Sequence, residues 1–288
     1  MPNLYLNFHI VTLNKKNRKE DLFILSDIDQ KDAFNALKKA FAKNKGGLLD
    51  NKGRLADYKI DESKRSIFGY VEAGEQGFTS RFVDLGSQKL VYNRKRQDLE
   101  LIPFYFLISI PKDSKYCFIA VQTLGLSSPY DVISHLVKKA FNSLNATCKF
   151  KAVCENGKLI EQTLKNHGQI LKIEAFKAQQ PRDKAGDYVS KIFVRQEFSG
   201  FSQGIISKIR KNSSKTALSK LFAIEEIDNY KLHIKDRKGK TRCLSISSNQ
   251  ATNYDISDIE LNDKGHPKYE QLVEITDEYM GNIVELFQ

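Results

Sequence analysis

Three clusters of lysine and arginine are the residues of this sequence whose types and spacing point most directly to a chemical role. In chain order they are Arg94, Lys95 and Arg96; then Lys208, Arg210, Lys211, Lys215 and Lys220; then Lys235, Arg237, Lys238, Lys240 and Arg242. Each cation can neutralise one phosphate, and sequence-independent DNA binding needs many such contacts but no side chains that read base edges. We therefore predict that these residues bind DNA. The alternative is a solvated charged surface.

The second cluster lies in the stretch GIISKIRKNSSKTALSKLF, residues 204–222, which contains five cations and no acid. Apolar residues are placed between the cations. Ser213 or Ser214 can cap a helix over residues 215–222, because serine is a preferred N-cap residue. The free backbone N–H groups of that first turn would then add to an anion-binding site.

The third cluster surrounds the sequence RKGK, residues 237–240. Strand-like runs precede it at 229–236 and follow it at 241–248. A glycine between two such runs is typical of a hairpin turn. The pattern therefore predicts a basic β-hairpin, with cations on the turn and at the adjoining strand ends.

The distribution of charge along the chain supports a polyanionic partner. The 288 residues carry a formal net charge of +11. Residues 149–250 contain 21 Lys and Arg against 10 Asp and Glu, a difference of +11, whereas residues 251–288 contain 2 against 9, a difference of −7. Residues 1–148 contain 23 against 16, a difference of +7. A strongly basic segment beside an acidic tail favours binding to a polyanion over general solubilisation.

An enzymatic alternative rests on two acidic triplets. Asp57 in DYK, residues 57–59, and Glu62 in ESK, residues 62–64, match the Asp/Glu-x-Lys form found in metal-dependent nucleases. Both triplets lie in a polar segment for which we predict no buried strand. Triplets of this form arise easily where 28% of residues are charged. A nuclease therefore remains the alternative to a binding protein.

Other catalytic and metal-binding patterns are missing from the sequence. There is no phosphate-binding loop, dinucleotide fingerprint or nucleophile elbow. The five histidines never occur at metal-ligand spacing, and the four cysteines form no C-x-x-C. The acids of residues 255–263 lack the glycine and final glutamate of a calcium loop. We therefore predict no catalytic residue, no metal and no cofactor.

The elements that would position the basic clusters are mostly strands. Residues 102–111 and 116–124, joined by a polar turn, predict a buried β-hairpin. Amphipathic helices are predicted over 29–43, 127–141 and the end of the chain, from the spacing of their apolar residues. Residues 13–21 are predicted to be a polar loop followed by a strand at 22–26. The fold class is α+β, with two domains of mainly antiparallel sheets and flanking helices.

The shift in composition near residue 147 predicts the domain boundaries. Residues 1–147 would form an N-terminal α+β globular domain, and residues 148–255 a basic α+β domain. Residues 256–288 would contain a C-terminal helix that packs on the N-terminal domain or at a dimer interface. The sequence has no apolar run of membrane-spanning length and no signal-peptide pattern, which predicts a cytoplasmic protein.

The order of these elements resembles the RexA family of phage-exclusion DNA-binding proteins. Residues 102–141 are similar to that family's phenylalanine-rich strand, second strand and following helix. Residues 148–176 are similar to its next strand, helical connection and KVEA-type strand. KIRKNSSKTALSK, residues 208–220, falls where the family has a lysine-rich segment, and DIELNDKGHPKYEQ, residues 258–271, matches its KGH turn and helical end.

The resemblance implies a cytoplasmic two-domain homodimer that binds double-stranded DNA with little sequence preference. The family is distantly related to the ring-forming recombination protein RdgC. In such systems the DNA-binding protein senses infection, and a separate membrane protein is the effector. Besides the nuclease, a protein-binding scaffold that uses its acidic tail remains an alternative.

Overall fold

The computed structural model describes residues 4–15, 18–125, 127–153, 169–179, 192–200, 220, 229–235, 241–247 and 253–287. Within these ranges the chain combines helices with sheets that are mostly antiparallel, as predicted. The strands are β1 Leu4–Lys15, β2 Arg18–Leu22, β3 Leu48–Leu49, β4 Gly53–Asp61, β5 Ser66–Ala73, β6 Ser80–Val83, β7 Leu90–Arg94, β8 Ile102–Ser109, β9 Cys117–Leu124, β10 Thr147–Ala152, β11 Gln169–Gln179, β12 Ile192–Ser199, β13 Asn229–Lys235, β14 Thr241–Ser247 and β15 Asn253–Asp255. The helices are α1 Ala33–Asn44, α2 Tyr130–Asn142 and α3 Tyr269–Phe287.

The chain divides into two compact units. The N-terminal unit is Val11–Lys149, and the C-terminal unit combines Met1–Ile10 with Phe150–Gln288. This division differs from the predicted domains 1–147, 148–255 and 256–288. The start of the chain belongs with its end because β1 pairs with β15, with Leu6 opposite Tyr254.

The N-terminal unit is built on an antiparallel sheet in the order β9-β8-β5-β4-β3. The predicted β8–β9 hairpin within this sheet is confirmed, with Phe106 of β8 opposite Val121 of β9. Because β8 and β9 are almost continuously apolar, their middle residues are buried on both faces. A separate two-stranded sheet, β6–β7, also belongs to this unit.

Two predicted helices complete the core of the N-terminal unit. In α1, Asp32 is the N-cap and its carboxylate accepts a hydrogen bond from the Phe34 N–H at 2.8 Å. In α2 the predicted stripe is buried, and Ser128 Oγ accepts from the Tyr130 N–H at 3.2 Å. The Phe41 ring of α1 lies 5.6 Å from that of Phe106.

Two segments differ from the sequence prediction. Within the predicted loop 13–21, residues 13–15 belong to β1 and residues 18–21 to β2. The strand predicted at 22–26 is wrong beyond Leu22, where β2 ends. Pairing of Asn14 with Leu22 joins these strands. The polar segment containing Asp57 is a strand, β4. In both places the strand forms by backbone pairing with a neighbouring strand. Its many polar side chains interrupt the alternation of apolar residues from which a strand is predicted.

The C-terminal unit contains strands in the order β12-β11-β13-β14-β15, with the first residues of β1 beside β15. Helix α3, predicted from its apolar spacing, packs on this unit. The Tyr279 ring lies 4.3 Å from that of Tyr254 and 6.5 Å from that of Phe8. No helix in the part of the chain that the structure describes is long and apolar enough to cross a membrane.

Candidate nucleic-acid interface

Within the basic cluster at residues 208–220, Lys220 is the one residue that the structure describes. Lys220 is exposed and has helical backbone, which agrees with the helix predicted over 215–222 at that residue. Lys208, Arg210, Lys211 and Lys215 lie outside the described residues. The predicted serine cap lies outside them as well, so the anion site at this helix start stays a prediction.

The strands of the predicted basic hairpin are confirmed. β13 and β14 pair antiparallel, with Lys235 opposite Thr241 and Ile234 opposite Arg242. The backbone therefore brings Lys235 and Arg242 to the same end of the hairpin. Lys235 is exposed. The predicted turn, with Arg237, Lys238 and Lys240, lies outside the described part of the chain.

Alternation along β13 separates a polar face from a buried face. Leu232 and Ile234 are buried, whereas Lys231, His233 and Lys235 lie on the opposite face, with the exposed Lys235 at the end of the strand. On β11, Lys172 is opposite His233. The polar face of this sheet therefore carries a row of cationic or titratable side chains that leads to the basic end of the hairpin.

A charged network occupies the middle of this polar face. Lys172 Nζ lies 2.7 Å from Glu174 Oε1 and 3.2 Å from Glu197 Oε2. His233 Nε2 lies 3.3 Å from Glu174 Oε1. Hydrogen bonds from Lys172 to Glu174 and Glu197 raise the lysine pKa. Burial lowers the pKa of His233, and the attraction of Glu174 only partly opposes this effect.

This network has no signature in the sequence, because its members lie on three strands far apart in the chain. Glu174 is buried although it carries a charge, which marks it as the centre of the group. Since Lys172 is bonded to two carboxylates, it is a weaker phosphate partner than Lys235. The network thus divides the polar face into a neutralised middle and a cationic end.

The first cluster separates into one buried and two exposed residues. The Arg94 side chain is 3% exposed. Its Nη1 lies 3.0 Å from Glu100 Oε2, its Nη2 donates to the Glu75 carbonyl, and its guanidinium lies 4.1 Å from the Phe78 ring centroid. The predicted phosphate contact does not fit this environment, because the guanidinium is enclosed and already bonded. Arg94 instead holds together the segments that flank the β6–β7 hairpin.

Lys95 and Arg96 follow Arg94 in a turn that is held by hydrogen bonds, and both residues are exposed. The Asp98 carboxylate accepts hydrogen bonds from the Tyr92 hydroxyl and from the Lys95 N–H, and these bonds lower the Asp98 pKa. The Arg96 carbonyl accepts from the Gly77 N–H at 3.0 Å. The turn therefore presents two cations to solvent from a fixed backbone.

The two acids of the alternative nuclease site each lie next to a different lysine. Asp57 Oδ1 lies 3.9 Å from Lys45 Nζ, and Glu62 Oε1 lies 2.8 Å from Lys38 Nζ. Both carboxylates are largely exposed and each has its own lysine. Among the described residues no group of three His, Cys, Asp or Glu side chains could hold a metal ion. The acidic segment at 255–263 forms local contacts, including Glu260 with Lys268 at 2.6 Å.

Neither a family model nor a curated protein sequence matches this chain. Its function must therefore be inferred from its own residues. Among the described members of the three basic clusters, Lys95, Arg96, Lys220 and Lys235 are exposed, so a phosphate can reach them.

Proposed function

We propose that this protein binds double-stranded DNA without sequence preference and acts as the sensor component of a phage-exclusion system. The observation that carries the proposal is the basic β13–β14 hairpin within a segment whose net charge is +11. The exposed Lys235 at the end of β13, followed in the sequence by the cations of RKGK, supplies closely spaced cations of the kind that phosphates bind.

The mechanism is neutralisation of backbone phosphates and release of their counterions. Lysine predominates in the basic clusters, and it acts as a point charge rather than as a bidentate reader of bases. Affinity should consequently depend steeply on salt and little on base sequence. Such binding requires no covalent step, so we propose that the protein is not an enzyme.

The wider organisation follows from the resemblance to the RexA family. We propose that the two compact units act as two domains and that the protein is a cytoplasmic homodimer. Dimerisation would place two basic surfaces along one duplex, which raises the effective concentration of the second surface once the first is bound. A separate membrane protein would serve as the effector after the DNA-binding protein has sensed infection.

The test is a salt titration of binding to duplexes of unrelated sequence. The wild-type protein should bind all of them with similar affinity, and log K should fall linearly as log salt rises. Replacing Lys208, Arg210 and Lys211 together with Ala should shallow this slope by up to about 3, since each lost phosphate contact removes about 0.9.

The matched control is Lys264→Ala, which removes an exposed lysine from the acidic end of the chain. This variant should keep the wild-type slope. Binding that is insensitive to salt, or strongly selective for one duplex, would contradict phosphate neutralisation. Magnesium-dependent cleavage that is lost in Glu62→Ala would favour the nuclease instead.

A further inference from the structure

Most of the large hydrophobic residues that are exposed in the described ranges lie in or next to the β6–β7 hairpin. Ten large hydrophobic residues are exposed in the described ranges, and seven of them lie between residues 78 and 92. They are Phe78, Phe82, Val83, Leu85, Leu90, Val91 and Tyr92. Leu85 at the tip is 92% exposed and Val91 is 68% exposed. Such concentration in one short element is unlike the scattered exposure that is normal on a protein surface.

Apolar side chains are present on both faces of this hairpin. Phe82 is opposite Tyr92, with ring centroids 6.2 Å apart, so this aromatic pair shares one face. Val83 is opposite Leu90, one position further along, and therefore lies on the other face. The register shift at this point makes Val91 a bulged residue, which increases the local twist.

Both edges of the hairpin are also open. Within the described ranges neither β6 nor β7 pairs with any other strand. A two-stranded hairpin of this size is marginally stable in water when it stands alone. Its base, however, is fixed by the buried Arg94, which binds Glu100 and the Glu75 carbonyl. In the part of the chain that the structure describes, the hairpin is therefore an apolar arm with unpaired backbone edges.

The size of the apolar surface matches one side of a stable protein interface. Taking about 150–250 Å² for an aromatic residue and somewhat less for an aliphatic one, the exposed fractions of the seven residues correspond to roughly 600–700 Å². A standard interface buries about 800 Å² on each partner. Burial of this arm would thus account for most of one partner's contribution.

The tip of the arm, from Phe82 to Tyr92, has no net charge. Its only charged residues are Asp84 and Lys89, whose charges cancel, whereas the cations Arg81, Lys95 and Arg96 lie at the base of the arm. Two copies related by a two-fold axis can place Asp84 of one arm near Lys89 of the other, so the arm is complementary to itself. DNA would instead require an excess of cations along the contact.

We propose that the β6–β7 arm packs against a second copy of this chain, so that two copies exchange arms around a two-fold axis. Reciprocal exchange covers both apolar faces, since one arm contacts the body and the arm of its partner. This inference rests on the proposed function only for the existence of a homodimer. It adds the surface through which that dimer forms.

The test compares oligomeric states without DNA by sedimentation or light scattering across the micromolar range. The wild-type protein should be a dimer. The double variant Leu85→Asp/Val91→Asp should be monomeric, with the dimer dissociation constant raised at least about 100-fold, because four carboxylates would enter the apolar contact. The single variant Leu85→Asp, at the open tip, should weaken the dimer in the same direction with no effect on folding. Circular dichroism and thermal melting check the fold of each variant.

Leu48→Asp provides the matched control, since Leu48 is 61% exposed and lies outside the arm. This variant should remain a dimer. A monomeric wild-type protein, or a folded double variant that remains a dimer, would overturn the inference. If the wild-type protein is monomeric and the arm variants also lose DNA binding, the arm is a nucleic-acid contact instead. Since oligomeric state is measured without DNA, a failure here leaves the DNA-binding proposal to its own salt titration.

Discussion

The Arg94 guanidinium lies 4.1 Å from the centre of the Phe78 ring, next to an ion pair with Glu100. Arg94 belongs to a basic cluster in the sequence, but through these contacts it acts as a structural clamp. Its neighbour Arg96 is exposed. Two arginines separated by one residue therefore have different roles, which can be separated by substitution.

Arg94→Met should destabilise the protein by about 2 kcal/mol, because the Glu75 carbonyl loses its charged donor while the apolar contact with Phe78 is partly retained. Chemical denaturation measures the loss. Arg96→Met is the matched control and should change the free energy of unfolding by less than about 0.5 kcal/mol.

The same two variants should also differ in DNA binding, and here Arg96→Met should have the larger effect. Arg96→Met should shallow the salt slope by about 0.9, whereas folded Arg94→Met should keep the wild-type slope. If Arg94→Met weakened DNA binding while its stability stayed unchanged, the clamp interpretation would be wrong and Arg94 would be a phosphate contact.

The two glutamates that bind Lys172 offer a second comparison of matched residues. Glu174 is buried, whereas the Glu197 side chain is 46% exposed, yet both bind the same ammonium group. Glu174→Gln should lower the free energy of unfolding by about 2 kcal/mol, since buried ion pairs are costly to break. Glu197→Gln should cost less than about 1 kcal/mol because water screens an exposed pair.

The Glu174 variant has a further readout at His233. Loss of the Glu174 charge removes an interaction that raises the His233 pKa, so burial should depress that pKa further. Titration of the imidazole by NMR measures the change. Equal stability losses in the two glutamate variants, with an unchanged His233 pKa, would show that Glu174 is not the centre of the network.

The sequence predicted the elements whose side-chain pattern is local. The β8–β9 hairpin follows from two apolar runs around a polar turn, and α2 from its stripe of buried residues. The basic β13–β14 hairpin was predicted in the same way. These patterns suffice because neighbouring residues in the chain determine both the element and its buried face.

The missed features depend on contacts between distant segments. Burial of Arg94 requires Glu75, Phe78 and Glu100 to meet around it, and the charge pattern near residues 94–96 contains no sign of this. Glu174 meets His233 only through the register of β11 with β13. The strand β4 was hidden by its polar exposed face, which local hydropathy cannot distinguish from a loop.

Lys235 provides the sharpest single-residue test of the basic hairpin. Lys235→Gln should shallow the salt slope of DNA binding by about 0.9 and weaken binding to all duplexes alike. Stability should be nearly unchanged because this side chain is exposed. Lys231→Gln is a useful comparison, since Lys231 Nζ lies 5.8 Å from the centre of the Phe176 ring on the same face. A larger loss of DNA affinity in Lys231→Gln than in Lys235→Gln would move the contact from the hairpin end to the middle of the sheet.

Acid should destabilise the protein through His9 in β1. Burial lowers the pKa of His9 from 6.5 to about 4. Between these values the unfolded chain binds a proton that the folded protein does not, so the contribution of His9 is complete above pH 6.5 and is lost as pH falls toward 4. The loss amounts to at most about 3 kcal/mol. Unfolding by urea at pH 7.5 and pH 4.5 should show that His9→Gln, which cannot take up the proton, loses less stability than wild type on acidification. Parallel losses in the two proteins would mean that His9 titrates alike in the folded and unfolded states.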